Sequence, residues 1–400
     1  MAEIPTLEDE NRPLEGVLVL DFSQFLAGPV SAMRLSDLGA RVIKIERPGT
    51  GDIGRGLAFA GIEIDGDTLS FHVMNRGKES FAADLKKQND LAEVLRLVEK
   101  ADVVIENFRP GVMQRLGLGY ETLSKINPRL IYLSITGYGS TGPWSTRPGQ
   151  DLLAQSMSGL PNLNGSADDP PIAVGIALAD IITSIHAAHG VTAALFRRER
   201  TGKGARIETS LMESMLDLQF ELLSAHMTDP SVLVQRGVPH TAHPFLQAPY
   251  GIYKTLDGNL AIAMTSVPEL GKLIGLDALE KYQDATTWWT EQSEITRQLA
   301  AHLLTGTTEH WLNLLDAADV WCAPVLQLPE LVAHEGFQSL EMSQSMTRTS
   351  IDGQREVRIQ TTRSPIRVDG KALRVRTGAP RVGQHTEQIR IEFLEEGKNA

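Results

Sequence analysis

The chain has 400 residues, 42% hydrophobic and 22% charged, a globular mixture that excludes a disordered, collagen-like or coiled-coil protein. Its 50 acidic and 38 basic residues leave a net charge of −12. That excludes a general nucleic-acid-binding role, and any anionic ligand must be held by locally clustered cations. A single cysteine, Cys322, removes both a disulfide framework and a cysteine-based zinc cluster, and suits a reducing, cytoplasmic setting.

Residues 1–13 are polar and acidic with no apolar core, and read as a loose tail rather than a signal peptide. From Leu14 onward apolar strands alternate with helices. Gly16–Phe22 reads as a buried strand. Pro29–Leu38 reads as a helix, with proline early and Gly39 at its end. Strands follow at Arg41–Arg47, Asp102–Phe108 and Leu130–Ile135. Asp90–Ala101 carries Leu91, Val94, Leu95, Leu97 and Val98 at helical spacing. This alternation predicts an α/β fold with a parallel sheet, whose ligands bind beyond the carboxyl ends of the strands.

Gly137–Pro143 is a turn-rich loop, and helices are predicted at Asp151–Ser158 and Ala179–Arg200, the latter stopped by Thr201-Gly202-Lys203-Gly204. The apolar run Ile176–Phe196 is interrupted by Asp180, Thr183, Ser184, His186 and His189, so it reads as a buried helix and not a membrane span. A strand and helix follow over Arg206–Leu223. Val238–Gly251, with three prolines and two histidines, reads as a linker. Ile252–Met264 reads as a hairpin turning at Asp257-Gly258, and Ser343–Arg381 is polar and β-leaning. The expected organisation is a tail (1–13), a large domain (14–225 and 330–400) and a smaller α+β domain with its linker (226–329).

No G-x-x-x-x-G-K-[ST] and no G-x-S-x-G motif occurs, which removes P-loop ATP use and a serine-hydrolase elbow. His186 and His189, three apart on a helix, and His240 and His243 in a loop lack partners at metal-ligand spacing, so no metal is expected. Asp180 is the leading candidate for chemistry. It opens a long apolar helix, where the positive end of the dipole favours an ionised carboxylate able to act as a nucleophile. The same position also suits a plain helix cap. Gln150-Asp151, just before another helix, is either a second cap or a polar pair facing Asp180. Arg47, Lys86, Arg109 and Arg115 read as either a phosphate clamp or ordinary surface charge, Arg47 and Arg109 lying just past strand ends.

Several motifs occur together and in order: Leu20-Asp-Phe with Ala27-Gly-Pro29; Gly39 to Arg47; Asp84-Leu-Lys86; Glu106-Asn-Phe-Arg-Pro-Gly111 with Arg115-Leu-Gly117; Thr136 to Pro143; Ala179-Asp180; and Arg200 to Gly204. In this combination the chain resembles the family III coenzyme A transferases (the CaiB/BaiF family), which include the α-methylacyl-CoA racemases. The resemblance runs from about Leu14 to Gln384. It implies a Rossmann-like large domain built from both termini, a small domain, and an interlocked homodimer with the site at the domain and subunit boundary. It implies that Asp180 is the catalytic aspartate and that Ala27, Arg47, Lys86, Asn107, Phe108 and Arg115 hold coenzyme A. Acyl-CoA would be a substrate, with no tightly bound cofactor and no nucleic-acid or membrane partner. The mechanism implied passes through an aspartyl mixed anhydride and an aspartyl-CoA thioester to a small carboxylic or dicarboxylic acid.

The racemases of this family resemble a two-base design with a His-Asp pair where this chain has Gln150-Asp151. An amide cannot exchange a proton near neutral pH, which favours transferase over racemase. Asp151 matches an acidic residue of the transferases. The formyl-CoA members carry a run of glycines in a mobile loop. The stretch Thr241–Pro249 lacks that run, which argues against formate and oxalate as substrates.

Overall fold

A computed structural model describes residues 4–394. They form two compact units. One contains Met1–Ala154, Ala177–Leu218 and Glu335–Ala400, the other Gln155–Ile176 and Gln219–His334.

The first unit is built on a six-stranded, wholly parallel sheet. Its strands are β1 (Leu18–Asp21), β2 (Arg41–Glu46), β3 (Lys78–Ala82), β4 (Val103–Glu106), β5 (Ile131–Thr136) and β6 (Ala205–Ser210). Their spatial order is β3–β2–β1–β4–β5–β6. The chain winds outward from β1 to β3, then restarts on the other side of β1 with β4. The carboxyl ends of β1 and β4 therefore form the switch point where doubly wound sheets bind ligands. Val19, Leu20, Val104, Ile105, Ile131 and Leu133 are all 0% exposed, as a sheet covered on both faces requires. Strand β3 has no apolar run to announce it. Its Lys78 and Ser80 are buried because each finds a polar partner inside.

The helices of this unit are α1 (Ala27–Asp37), α2 (Gln88–Lys100), α3 (Asp151–Ser158, which begins here), α4 (Leu178–Thr201) and α5 (Leu211–Leu218). Helix α4 stops as its sequence predicts. Gly202 has φ +68° and its N–H bonds the Arg198 carbonyl, while a side chain at Gly204 would strike the backbone of Leu130. By length and composition α4 is apolar enough to cross a membrane. It is a core helix, packed on α1, α5, β5 and β6 with Ala179, Ala187 and Val191 fully buried.

In the second unit β7 (Gly251–Lys254), β8 (Asn259–Ile262) and β9 (Cys322–Pro324) form an antiparallel sheet in the order β9–β8–β7. The β7–β8 turn closes through Thr255 N–H to the Gly258 carbonyl at 3.0 Å, at the predicted Asp257-Gly258. Tyr253, Leu260, Leu299 and Trp311 anchor its core. The linear reading kept 155–176 in the large domain; the structure groups it with this unit. Buried Gln155 ties that stretch to itself, accepting from Val174 N–H at 3.0 Å and donating to the Ile176 carbonyl at 3.2 Å.

The carboxyl-terminal return rejoins the first unit through the hairpin β10 (Ser343–Thr349) and β11 (Glu356–Thr362). Arg348 fastens it, meeting Asp65 at 2.9 Å and Asp67 at 2.7 Å, while Arg381 adds a second contact to Asp65 at 2.8 Å. The expected loose tail is not loose where it is described. Leu7 N–H bonds the Ala372 carbonyl at 3.0 Å, Ala372 N–H bonds the Pro5 carbonyl at 2.8 Å, and Leu7 is buried.

Arg348 is almost fully buried between two carboxylates, so its removal strands buried charge. Arg348→Ala is expected to cost about 3 kcal/mol in urea unfolding, and to make the 343–381 segment the first site of limited proteolysis.

Candidate active site

The site begins where β1 ends. Asp21 closes β1 with no solvent exposure, level with Lys44 of β2, and faces two buried ammonium groups. Lys78 reaches it at 2.8 Å and Lys44 lies at 3.9 Å; Lys44 in turn meets Asp52 at 2.8 Å. Burial opposes ionisation of Asp21, but Lys78 and Lys44 outweigh it and hold the carboxyl below its ordinary range. Burial also pulls the Lys78 ammonium down to about 8, against the attraction of Asp21. Two cations against two anions leave the cluster neutral, the condition under which buried charge is tolerated.

The cluster grips the loop that follows β1. Asp21 accepts from Ser23 N–H at 2.9 Å and from the Ser23 hydroxyl. The Lys44 ammonium donates to the Ser23 carbonyl at 2.7 Å. From the end of β4, the Asn107 side chain holds both backbone groups of Gln24, accepting from its N–H at 2.8 Å and donating to its carbonyl at 2.7 Å. Asn107 therefore spans the switch point as a clamp on this loop. Phe25 stands at φ +66°, and α1 opens two residues later at Ala27.

Three helix starts bear on one carboxylate. Ala27 is the first residue of α1, Asp151 the first of α3, and Asp180 the third of α4. Asp180 is not the cap of its helix; that position is Ala177, which has no side-chain cap. The Ala27 N–H donates to the Asp180 carboxylate, and the Asp180 N–H donates to Asp151 Oδ1 at 3.2 Å. Burial first, and the negative charge of Asp151 second, push the Asp180 carboxyl up to about 7, with the Ala27 hydrogen bond pulling the other way. The helix position had predicted a firmly ionised group. A helix terminus stabilises an anion by only about 0.3–1 kcal/mol, under one pKa unit, and burial with a second carboxylate exceeds it.

Two glycines set the start of α3. In the loop after β5, Gly137 and Gly149 lie backbone to backbone, so a Cβ on either would fall within 2.6 Å of the other's Cα. The loop thereby returns to deliver Gln150 and Asp151. Gln150 is exposed and enters through its carbonyl, which accepts from Ala154 N–H at 3.0 Å; Asp151 is the member of the pair brought to Asp180.

Arg47, Lys86 and Arg109 follow the carboxyl ends of β2, β3 and β4, and Arg115 lies one short helix beyond. All four are exposed and, among the described residues, none forms an ion pair within the chain. Four uncommitted cations along the ligand-binding edge of an acidic protein suit a polyphosphate. Phe108 is half-buried against the core. His186 joins α4 to α5, with Nδ1 3.0 Å from Ser214 Oγ and Nε2 3.2 Å from Asp217, while the His240 ring stacks on Tyr253. Among the described residues no group of three or more His, Cys, Asp or Glu is arranged to hold a metal. Sequence reasoning missed the Lys44, Lys78 and Asp52 cluster, since buried charges inside strands read as ordinary alternation. The one available signal was Asp21 closing a wholly apolar strand.

Comparison with known proteins followed. The profile of CoA-transferase family III matches residues 14–386. The mouse succinyl-CoA:glutarate CoA-transferase is 33% identical, covering 96% of this chain and 87% of its own. The acetyl-CoA:oxalate CoA-transferase of Acetobacter aceti is 35% identical, covering 95% of this chain and 96% of its own. A crystal structure of a CaiB/BaiF family protein from Brucella suis superposes with a TM-score of 0.82 at 32% identity, over 96% of this chain and 100% of that one.

The raised pKa of Asp180 has a thermodynamic consequence. Between the ordinary carboxyl value of 3.8 and about 7, the folded state keeps a proton that the unfolded state has lost, so stability falls as pH rises through that window. Asp180→Asn removes this loss. The variant should match the wild type below pH 4 and exceed it by up to about 4 kcal/mol at pH 8 in thermal or urea unfolding. Equal stability at pH 8 would refute the raised value.

Proposed function

Because the chain belongs to CoA-transferase family III, we propose that it moves coenzyme A from a small acyl-CoA to a second small carboxylic acid, with Asp180 as the covalent carrier. The observation that carries this reading is a partly buried carboxylate, at the start of α4, held by the first N–H of α1 and set beside the switch point of the sheet. Exposed and unpaired Arg47, Lys86, Arg109 and Arg115 are the groups to hold the CoA phosphates, with Ala27, Asn107 and Phe108 shaping the entry.

An ionised Asp180 oxygen attacks the donor thioester carbonyl, forming a C–O bond and expelling the CoA thiolate, which leaves a mixed anhydride. The thiolate then attacks the aspartyl carbonyl, giving an aspartyl-CoA thioester and freeing the donor acid as its carboxylate. The acceptor carboxylate attacks that thioester and again expels thiolate, forming a second anhydride. Thiolate attack on the acceptor's acyl carbon releases the new acyl-CoA and regenerates the Asp180 carboxylate. Charge and atoms balance with no net proton and no ATP. The Ala27 N–H, being preorganised, is the donor placed to stabilise charge at this carboxyl. A pKa near 7 leaves Asp180 about half ionised at neutral pH, yet more basic than an ordinary aspartate, and a more basic carboxylate is the better nucleophile. Gln150 in place of a histidine argues against two-base racemisation.

The relatives named for glutarate and mesaconate make a dicarboxylic acceptor the first choice. The acetyl-CoA:oxalate relative keeps oxalate in any acceptor panel, although the loop Thr241–Pro249 lacks the glycine run associated with it. Large apolar side chains on the surface, among them Leu152, Ile185, Phe196, Leu216, Phe220 and Met227, support burial in an interlocked homodimer. The lone Cys322 suits a cytoplasmic setting.

Incubation with acyl-CoA followed by hydroxylamine or borohydride should modify Asp180, as read by mass spectrometry, while Asp180→Asn should lose at least about 1,000-fold in kcat. Turnover without modification would overturn the nucleophile. Solvent deuterium entering the α-carbon of an acyl-CoA without acceptor would favour the isomerase instead. Asp151→Asn removes the neighbouring charge and should move the acid limb of kcat/KM to lower pH by about one unit.

A further inference from the structure

We propose that the buried Lys44–Asp52 pair is a positioning device for Asp180: it holds Phe25 in a left-handed turn and so keeps the Ala27 N–H on the catalytic carboxylate. This rests on the reading of Asp180 as nucleophile.

The starting observation is a strained residue. Phe25 has φ +66°, a region bulky side chains rarely occupy, yet its ring is half exposed and no core packing requires that backbone. Such strain persists only where the surroundings over-determine it, and it concentrates at functional sites. Here the loop is held at successive residues. Lys44 fixes the Ser23 carbonyl at 2.7 Å, and Asn107 fixes both backbone groups of Gln24. Asp52 Oδ1 accepts from Phe25 N–H at 3.4 Å and from Gly54 N–H at 2.8 Å. Asp52 is itself pinned by Lys44 at 2.8 Å, and by its own N–H to Glu46 at 3.0 Å.

The second observation is what this loop controls. Helix α1 has no side-chain cap; Leu26 occupies the cap position without a cap hydrogen bond. The opening N–H groups of a helix have no partner inside it, and the one at Ala27 goes to Asp180. Its direction is therefore set by the turn at Phe25 and not by a local cap. Asp151 from α3 is the charged group that acts on Asp180, and Arg34 of α1 is engaged one turn along α4, on Ser184 at 3.1 Å. Neither replaces the Ala27 donor. The mechanism uses no proton from Lys44 or Asp52, so burying this ion pair at the switch point is explained by placement.

The test compares wild type, Asp52→Asn, Phe25→Gly and the double variant. It reads kcat against pH, KM for the acyl-CoA donor, and trapping of the adduct on Asp180. Asp52→Asn should lower kcat about tenfold or more with donor KM within about threefold, and shift the acid limb up by about one pH unit, as loss of a hydrogen bond to a carboxylate does. Glycine adopts positive φ without help, so Phe25→Gly should leave the limb in place and, in the double variant, return it to the wild-type position. An unmoved limb in Asp52→Asn, or a shift that Phe25→Gly does not reverse, overturns the proposal. If Asp52→Asn fails to fold, Phe25→Pro serves. Proline forces φ to about −65° and removes the N–H, so the same shift is expected and an unmoved limb overturns the proposal. An Asp180 adduct in wild type with an unmoved limb in the variants sinks this inference alone; no adduct in wild type sinks the nucleophile reading and this inference with it.

Discussion

The architecture of the site depends on a neutral quartet of charges under the first loop of the sheet. Asp21, Lys44, Asp52 and Lys78 sit where three adjacent parallel strands approach their carboxyl ends, out of reach of water. A buried ion pair adds little net stability, since desolvation offsets most of the attraction, whereas removing one partner is severe. Such a cluster is better understood as geometry than as glue. Its two ammonium groups have three donors each and use them on specific oxygens: Lys78 on Asp21, the Pro29 carbonyl and Asn75, and Lys44 on the Ser23 carbonyl and Asp52. The loop cannot move without leaving one of these unpaired in a dry interior.

That rigidity passes to Asp180 through α1. Helix α1 lies against α4, and its first N–H closes the gap. Two opposing demands meet there. The helix starts favour an anion, while burial and Asp151 disfavour it by more. The outcome is a carboxylate with a pKa near neutrality, poised between a firmly ionised and a protonated acid. Because the two carboxyls interact, the pair and not either residue sets the macroscopic titration.

The sequence made the regular parts of this fold legible and left the site's support hidden, for physical reasons. Strands β1, β2, β4 and β5 are near-continuous apolar runs, and the starts and stops of α1 and α4 carry proline and glycine at positions that demand them. Strand β3 was missed because its buried lysine and serine look like surface residues until their partners are known. The tail looked loose because backbone pairing of Pro5–Leu7 with Ala372 spans most of the chain and leaves no local pattern. Asp180 was legible as a candidate, but not its elevated pKa, which arises from residues at positions 27 and 151 brought together by folding. The role of Asn107 is a similar case. The resemblance pointed to coenzyme A, while the geometry shows both ends of its amide spent on Gln24.

Emphasis on placement over chemical power agrees with the energetics of thioester exchange. Passing CoA between two carboxylic acids breaks one thioester and makes another of similar energy, so no external driving force is required. The hazard is loss of the acyl group to water while it sits on an anhydride. Such a site gains from a carboxylate that meets the incoming carbonyl in one fixed orientation, because intramolecular capture must outrun hydrolysis at every stage. Gly137 against Gly149, the quartet under Ser23, and the uncapped start of α1 each remove a degree of freedom from the groups around Asp180. The strain at Phe25 belongs to the same economy of motion: a turn with one accessible geometry is worth its conformational cost where a carboxylate must be met from one direction, four times per catalytic cycle.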